Sequence, residues 1–300
     1  VSPFFMKIIP LILAFGMGLF VRAVKLMNRD DAPVLLRFVV SVSLPAMALN
    51  SILRAHLTMD MIYLPLSAIA IVVIMYFVGT LYGRQLKLDG GMMGSFLVGT
   101  MIMNTAFSLP FFAASHGDEG FVRGTLFDVG NSLMIFTFTY YQAVKYGSQT
   151  GKNKSRWKRF LRLPPLWAMV IGFGMRLLDL KVPEIGINFL NLIGQPTIPL
   201  IMIALGLCFH PRLHNLDKAF TAIGIRMVIG LLCGFTLASI LGLDGITRIV
   251  VIVSSATPIG FNTLIFANLE EMDREFATTL VSFSILIALF YIPLLIYCLS

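Results

Sequence analysis

Two short sets of polar residues lie where polar residues are costly. The stretch Ile249 to Asn268, IVVIVSSATPIGFNTLIFAN, is long enough to cross a bilayer, yet its middle holds Ser254, Ser255, Thr257, Pro258, Gly260, Asn262 and Thr263. About 20 apolar residues span roughly 30 Å as a helix. Pro258 lacks a backbone donor and steers Thr257 away from helical angles, and Gly260 adds freedom just beyond, so a helix break is expected here. Phe96 to Ala114, FLVGTMIMNTAFSLPFFAA, has the same character, with Asn104, Thr105, Ser108 and Pro110. Hydroxyls and amides at such breaks supply hydrogen bonds to a small ligand, the chemistry of binding rather than of bond cleavage.

One carboxylate joins them. Asp128, in LFDVGNSLMIF, falls about two turns inside an apolar segment, with Asn131 three residues on and on the same helical face. A charged acid at the bilayer centre costs about 2.5 to 3.5 kcal/mol, so Asp128 and Asn131 are candidates for coupling transport to a proton or a cation. The competing reading has Asp128 hydrated near the outer surface or capping a neighbouring half-helix. Arg226, in AIGIRMVIG, reads as a snorkelling or helix-bridging residue.

The elements that would position these residues follow a repeat. Asn104-Thr105 and Asn262-Thr263 lie 158 residues apart, about half the chain, and Pro45 and Pro199 echo the spacing at 154. Paired interruptions at matching positions in two halves point to the substrate site of a secondary transporter. Unwound backbone is tolerated at membrane depth only where protein or a water-filled cavity satisfies it. The N-terminal ends of broken half-helices each carry about half a positive charge, which favours a bound anion.

Composition sets the class. Hydrophobic residues make up 57% of the 300 and charged residues only 13%, against about 25% in soluble domains. The expectation is an all-α integral membrane protein with ten transmembrane helices. These fall near residues 4–24, 33–53, 62–83, 92–114, 121–145, 165–180, 189–209, 218–242, 246–268 and 276–299. Five spans per half force the second half to enter from the opposite side, giving two inverted five-helix repeats. The expected division is 1–147 for the first repeat, 148–163 for a basic cytoplasmic linker and 164–300 for the second. Sixteen of the 23 Lys and Arg fall on one set of loop sides and six on the other, with Arg226 inside a span. The richer side is expected to be cytoplasmic, which leaves both termini on the non-cytoplasmic side of a plasma or cytoplasmic membrane. The acidic loop with Glu270, Glu271, Asp273 and Glu275 runs against that trend.

Several other patterns carry little chemistry. The net charge of +8 reflects loop lysines and arginines, so no nucleic-acid partner is expected. Cys208, Cys233 and Cys298 have no paired spacing, and no disulfide framework or metal site is expected from them. His210 and His214 stand four apart, but Pro211 intervenes and no third ligand is near. Gly147 to Asn153 has the wrong glycine spacing and ending for a phosphate-binding loop, so no cofactor is expected and energy must come from a gradient. Gly230 and Gly234 read as close helix packing. The first hydrophobic segment reads as a span rather than a signal peptide.

Taken with their order, the motifs GTMIMNTAFSLPF, FDVGNSLMIFTF, PPLWAMVIGFGMRLL, IGQPTIPLIMIALGL, SSATPIGFNTLIFA and ATTLVSFSILIALFYIPLLIYCL resemble the auxin efflux carrier family. That family stands in a wider group with the bile-acid sodium symporters. The resemblance implies that helices 4 and 9 are broken and cross near the midplane. It also implies a scaffold of spans 1, 2, 6 and 7, a mobile unit of spans 3–5 and 8–10, and a homodimer. By position, Asn104 and Pro110 match the first crossover and Pro258 and Asn262 the second. The family often has Gly after the crossover Asn, where this chain has Thr105-Ala106, a departure that bears on pocket shape and substrate.

The resulting expectation is a secondary active transporter, not an enzyme, moving a small organic anion of carboxylate type by alternating access. Its substrate-binding residues would be Asn104, Thr105, Pro110, Pro258, Asn262 and Thr263. The alternatives are sodium-coupled uptake, an intramembrane enzyme or a receptor. Sodium coupling would call for a cluster of acid or amide ligands, and an aspartyl protease for a second carboxylate facing Asp128.

Overall fold

Long apolar runs with few charges leave the backbone one local way to satisfy its polar groups. The chain takes that way: among the described residues every regular element is helical, and the only bridge is an isolated one. The computed structural model describes residues 3–56, 58–88, 90–147, 163–211 and 215–300. The basic linker expected at 148–163, the glycine-lysine stretch after Gly147, and His214 therefore lie outside the described residues, apart from their edges.

Twelve helices matter for the site. They are α1 (Pro3–Ala23), α2 (Arg29–Arg54), α3 (Met59–Gln85), α4 (Gly90–Met101), α5 (Thr105–Met134) and α6 (Tyr140–Tyr146). They continue as α7 (Pro164–Leu177), α8 (Glu184–Cys208), α9 (Leu216–Ile240), α10 (Gly245–Ser255), α11 (Asn262–Leu269) and α12 (Arg274–Leu299). Six are long and apolar enough to cross a membrane: α1, α2, α3, α8, α9 and α12. The remaining expected spans are shorter or interrupted. Helix α7 has 14 residues, and the expected spans 92–114 and 246–268 each fall into two pieces.

The interruptions follow the residues that predict them, with one shift. Helix α10 ends at Ser255, and the chain runs non-helically through Thr257 and Pro258 before α11 begins at Asn262. Helix α4 ends at Met101, and α5 begins at Thr105 with Asn104 as its N-cap. Pro110 lies inside α5, beyond the break and not in it. The loop expected near 115–120 is a single residue: Gly117 adopts φ 61° and ψ −146°, angles a side chain disfavours, and divides α5 there. A π-helical segment, Ile135–Thr139, joins α5 to α6, and another, Ile225–Ile229, lies inside α9.

The chain forms two compact units, each drawn from both halves of the sequence. The first comprises Val1–Met61, Leu109–Thr125 and Leu161–Phe209, the residues of expected spans 1, 2, 6 and 7 with 109–125 added. Here α1 and the second half of α8 approach closely at Gly18 and Gly206. A Cβ at Gly18 would lie 2.2 Å from the Ile203 carbonyl oxygen, and one at Gly206 2.2 Å from that of Phe15. Arg22 closes the end of α8 by donating to the Leu207 carbonyl at 2.9 Å, and Asn50 donates to Asn191 at 2.7 Å.

The second unit comprises Ile62–Ser108, Leu126–Phe160 and His210–Ser300. Its centre is made by the two shortest-looking candidates for a span. Every residue from Met93 to Met101 in α4 and from Ile249 to Ser255 in α10 is buried. A stretch apolar on all faces belongs inside protein, which fits the run IVVIV at 249–253 and the mostly apolar 93–101. Helix α3 covers α4, with Gly79 and Gly83 seated against Thr100 and Met93, and α9 covers α10 at Gly230 and Gly234.

Candidate functional site

Within the second unit the two breaks meet. Met103 and Ile259 form an antiparallel bridge. The Asn104 amide donates to the Pro258 carbonyl at 2.9 Å, and the Gly260 amide donates to the Ile102 carbonyl at 3.1 Å. Breaking two helices frees backbone groups that cannot be left unpaired in an apolar interior, and each break satisfies part of the other. Glycine is required at 260, because a Cβ there would stand 2.4 Å from Ile102 Cγ2.

Side chains of neighbouring helices hold each break. Asn131 of α5 donates from Nδ2 to the Met103 carbonyl at 2.9 Å. Ser284 of α12 accepts from the Ile259 amide at 3.1 Å. Asn104 caps α5 through Oδ1, which accepts from the Phe107 amide at 3.3 Å.

Asp128 sits beside the first break. Its Oδ1 accepts a short hydrogen bond from the Thr105 hydroxyl and another from Asn131 Nδ2 at 3.2 Å. Its Oδ2 accepts from Ser132 at 3.4 Å. The network therefore joins Thr105, expected to bind substrate, to Asp128 and Asn131, expected to couple an ion. Asn131 in turn joins that network to the broken backbone.

Several buried polar atoms here make no hydrogen bond among the described residues: Asn104 Nδ2, Thr263 Oγ1, Ser254 Oγ and Asn131 Oδ1. Asn104 is 4% exposed and Thr263 fully buried. An unsatisfied buried polar group costs about 1 to 3 kcal/mol, and each one calls for an explanation such as a role in binding. Asn262 is half-buried at the first position of α11. Pro258 supplies the carbonyl taken by Asn104. Pro110 lies six residues past Asn104 in a segment grouped with the first unit, so five of the six expected binding residues gather at the paired breaks. The first unit carries an open cleft of about 370 Å³ lined by Leu53, Arg176, Asp179 and Lys181, none of them a break residue.

The residue that sequence reasoning left out of the site is Arg226. It is fully buried within α9, and its guanidinium contacts carbonyls of both breaks. The one sequence signal for this was a charged residue near the middle of an apolar span.

Residues 3–296 match the model of a family described as membrane transport protein. A protein of Methanothermobacter thermautotrophicus described as an uncharacterized transporter is 26% identical over 283 residues, covering 93% of this chain and 92% of its own length. Another uncharacterized transporter, from Methanocaldococcus jannaschii, is 23% identical over 266 residues, covering 85% of this chain and 86% of itself.

Proposed function

We propose, given that the chain belongs to the auxin efflux carrier family of membrane transport proteins, that it is a secondary active transporter of a small organic anion of carboxylate type, working by alternating access. The observation that carries this reading is the pairing of the two breaks beside buried polar atoms that have no partner in the described protein. Helices α5 and α11 both begin at the paired breaks, and a helix N-terminus favours negative charge. Asn104 Nδ2 and the Thr263 hydroxyl offer donors to a carboxylate, while Thr105 and Asn262 complete the polar lining. Pro258 keeps the second break from closing into a helix.

In this reading helices 4 and 9 of a ten-span, twofold inverted repeat are the broken, crossing pair, with repeats at 1–147 and 164–300 and a cytoplasmic linker at 148–163. Both termini face the non-cytoplasmic side, and the chain works as a homodimer. Asp128, held by Thr105, Asn131 and Ser132, is the coupling group, taking a proton or neighbouring a sodium ion.

The test is a thermal-shift screen of the purified protein against small carboxylates, with sodium present or absent and at two pH values. The expected result is a carboxylate that raises the unfolding midpoint of the wild type, raises that of Thr263→Val less, and leaves that of Asn104→Asp unchanged. Equal stabilisation of all three proteins would remove the paired breaks as the binding site.

A further inference from the structure

In the second unit a basic side chain lies at the level of the breaks. Arg226 stands near the middle of α9 and is fully buried. Among the described residues it makes no ion pair; that of Arg123 with Glu119 lies in the other unit. What surrounds the guanidinium is backbone. Nη1 donates to the Thr100 carbonyl at 3.2 Å, Nε to the Thr257 carbonyl at 3.4 Å, and Nη2 to the Ser255 carbonyl at short range.

Those carbonyls share an origin. Thr100 lies in the last turn of α4, Ser255 is the final residue of α10, and Thr257 lies in the break that follows. The last four carbonyls of a helix have no partner within it, and each C-terminal end carries about half a negative charge. Two such ends together present about one negative charge, which one guanidinium balances. The backbone is shaped to admit it. The π-helical segment Ile225–Ile229 shifts the register at Arg226. Gly230, one turn on, leaves room, since a Cβ there would lie 2.2 Å from the Ser255 oxygen and 2.8 Å from Nη2.

We propose that Arg226 is a built-in cation of the paired breaks: its guanidinium does for the converging C-terminal carbonyls what a bound monovalent metal ion would otherwise do. The wild-type carbonyl cluster accordingly takes no alkali ion, and removing the side chain turns it into a site for a free cation. This goes beyond the transport reading, because it concerns the helix ends that carry negative charge rather than those that would receive the substrate. It stands or falls independently of which anion is carried.

The experiment measures thermal unfolding of the full chain in detergent for wild type, Arg226→Ala, Arg226→Met and Arg226→Lys. Each is titrated with millimolar guanidinium chloride, sodium chloride or choline chloride at constant ionic strength. Expected is a midpoint for Arg226→Ala lowered by roughly 5 to 15 °C and raised again by guanidinium, less by sodium and not by choline. The wild type should respond to neither guanidinium nor choline, and any response to sodium should vanish in Asp128→Asn, which leaves the carbonyl cluster intact. Arg226→Lys, which keeps the charge, should be more stable than Arg226→Met, which keeps only the bulk. Should Arg226→Ala not fold, the order of Lys and Met alone decides. Met equal to or more stable than Lys, an alanine variant indifferent to guanidinium, or a wild type stabilised by sodium through these carbonyls would each overturn the proposal.

Discussion

Asn104 carries two roles on one side chain, and they separate by atom. Its Oδ1 caps α5 by accepting from the Phe107 amide, and loss of such a cap costs about 0.5 to 2 kcal/mol. Its Nδ2 has no partner among the described residues. Asn104→Ala removes both and confounds stability with binding, whereas Asn104→Asp keeps the cap oxygen and replaces only the donor. Asp at this buried position adds an acid at membrane depth, so we expect Asn104→Asp to melt below the wild type and to lose carboxylate binding, read as no shift of its own midpoint when the carboxylate is added. Thr263→Val offers a cleaner case still. The hydroxyl is buried and unpartnered, so its removal should leave the melting midpoint unchanged or raise it while weakening ligand binding about tenfold, the worth of one hydrogen bond. Asp128→Asn should abolish the dependence of proteoliposome uptake on the coupling ion, measured as uptake with and without an imposed proton or sodium gradient; retained dependence would shift the coupling role elsewhere. These side chains were legible in the sequence because amides, hydroxyls and an acid are conspicuous in an apolar run. Arg226 does not snorkel, being fully buried; it bridges helix ends, the other alternative its sequence offered, but which ends was not legible. Its partners are backbone carbonyls up to 126 residues away, and carbonyls are the same in every residue type.

At the scale of elements, the sequence located both breaks but misread what makes the first. Pro258 and Gly260 do interrupt the later segment, while Pro110 is accommodated inside α5. The first break falls at Ile102 to Asn104, which contains neither proline nor glycine. Beyond the local Asn104 cap, what holds it open is tertiary: the hydrogen bonds to Pro258 and Gly260 and the Asn131 contact with the Met103 carbonyl. Local propensity carries no record of such partners. Glycine spacing was more informative, since Gly230 and Gly234 do mark a close approach, between α9 and α10. Gly230→Ala drives a methyl group into the Ser255 carbonyl oxygen, and we expect it to cost about 1 to 3 kcal/mol, read as a fall in the melting midpoint. Gly174, with nothing within 4 Å of an added Cβ, should accept alanine without loss in the same assay.

For the whole molecule, composition was decisive about class and weaker about count. Low charge and long apolar runs announce a helical, multi-pass membrane protein, and six helices meet the length and hydropathy of a span. Of the other expected spans, 92–114 and 246–268 are broken where their polar residues make contacts inside the protein, 165–180 is short, and 121–145 is continuous helix but carries Arg123, Asp128 and other polar residues. The two units were legible only through the family resemblance. Each gathers segments far apart in sequence, and no periodicity or linker marks such a grouping. Orientation belongs to this scale too. The proposed placement of both termini on the non-cytoplasmic side predicts that tags at either end are cleaved by protease added outside intact cells, while protection of both would invert the assignment.

The backbone pairing of the breaks has a consequence for how this protein can diversify. The bonds that stitch Ile102 and Asn104 to Gly260 and Pro258 use amide and carbonyl groups alone, which persist whatever side chains the non-proline donors bear. In the proposed reading selectivity and architecture are therefore written in different atoms. Changes at half-buried Asn262 and volume-conserving changes at buried Thr105 and Thr263 should leave the stitching of the centre in place, whereas Gly260, whose missing side chain makes room for Ile102, admits no such change. A lineage could exchange one cargo for another through a handful of substitutions while inheriting the same frame.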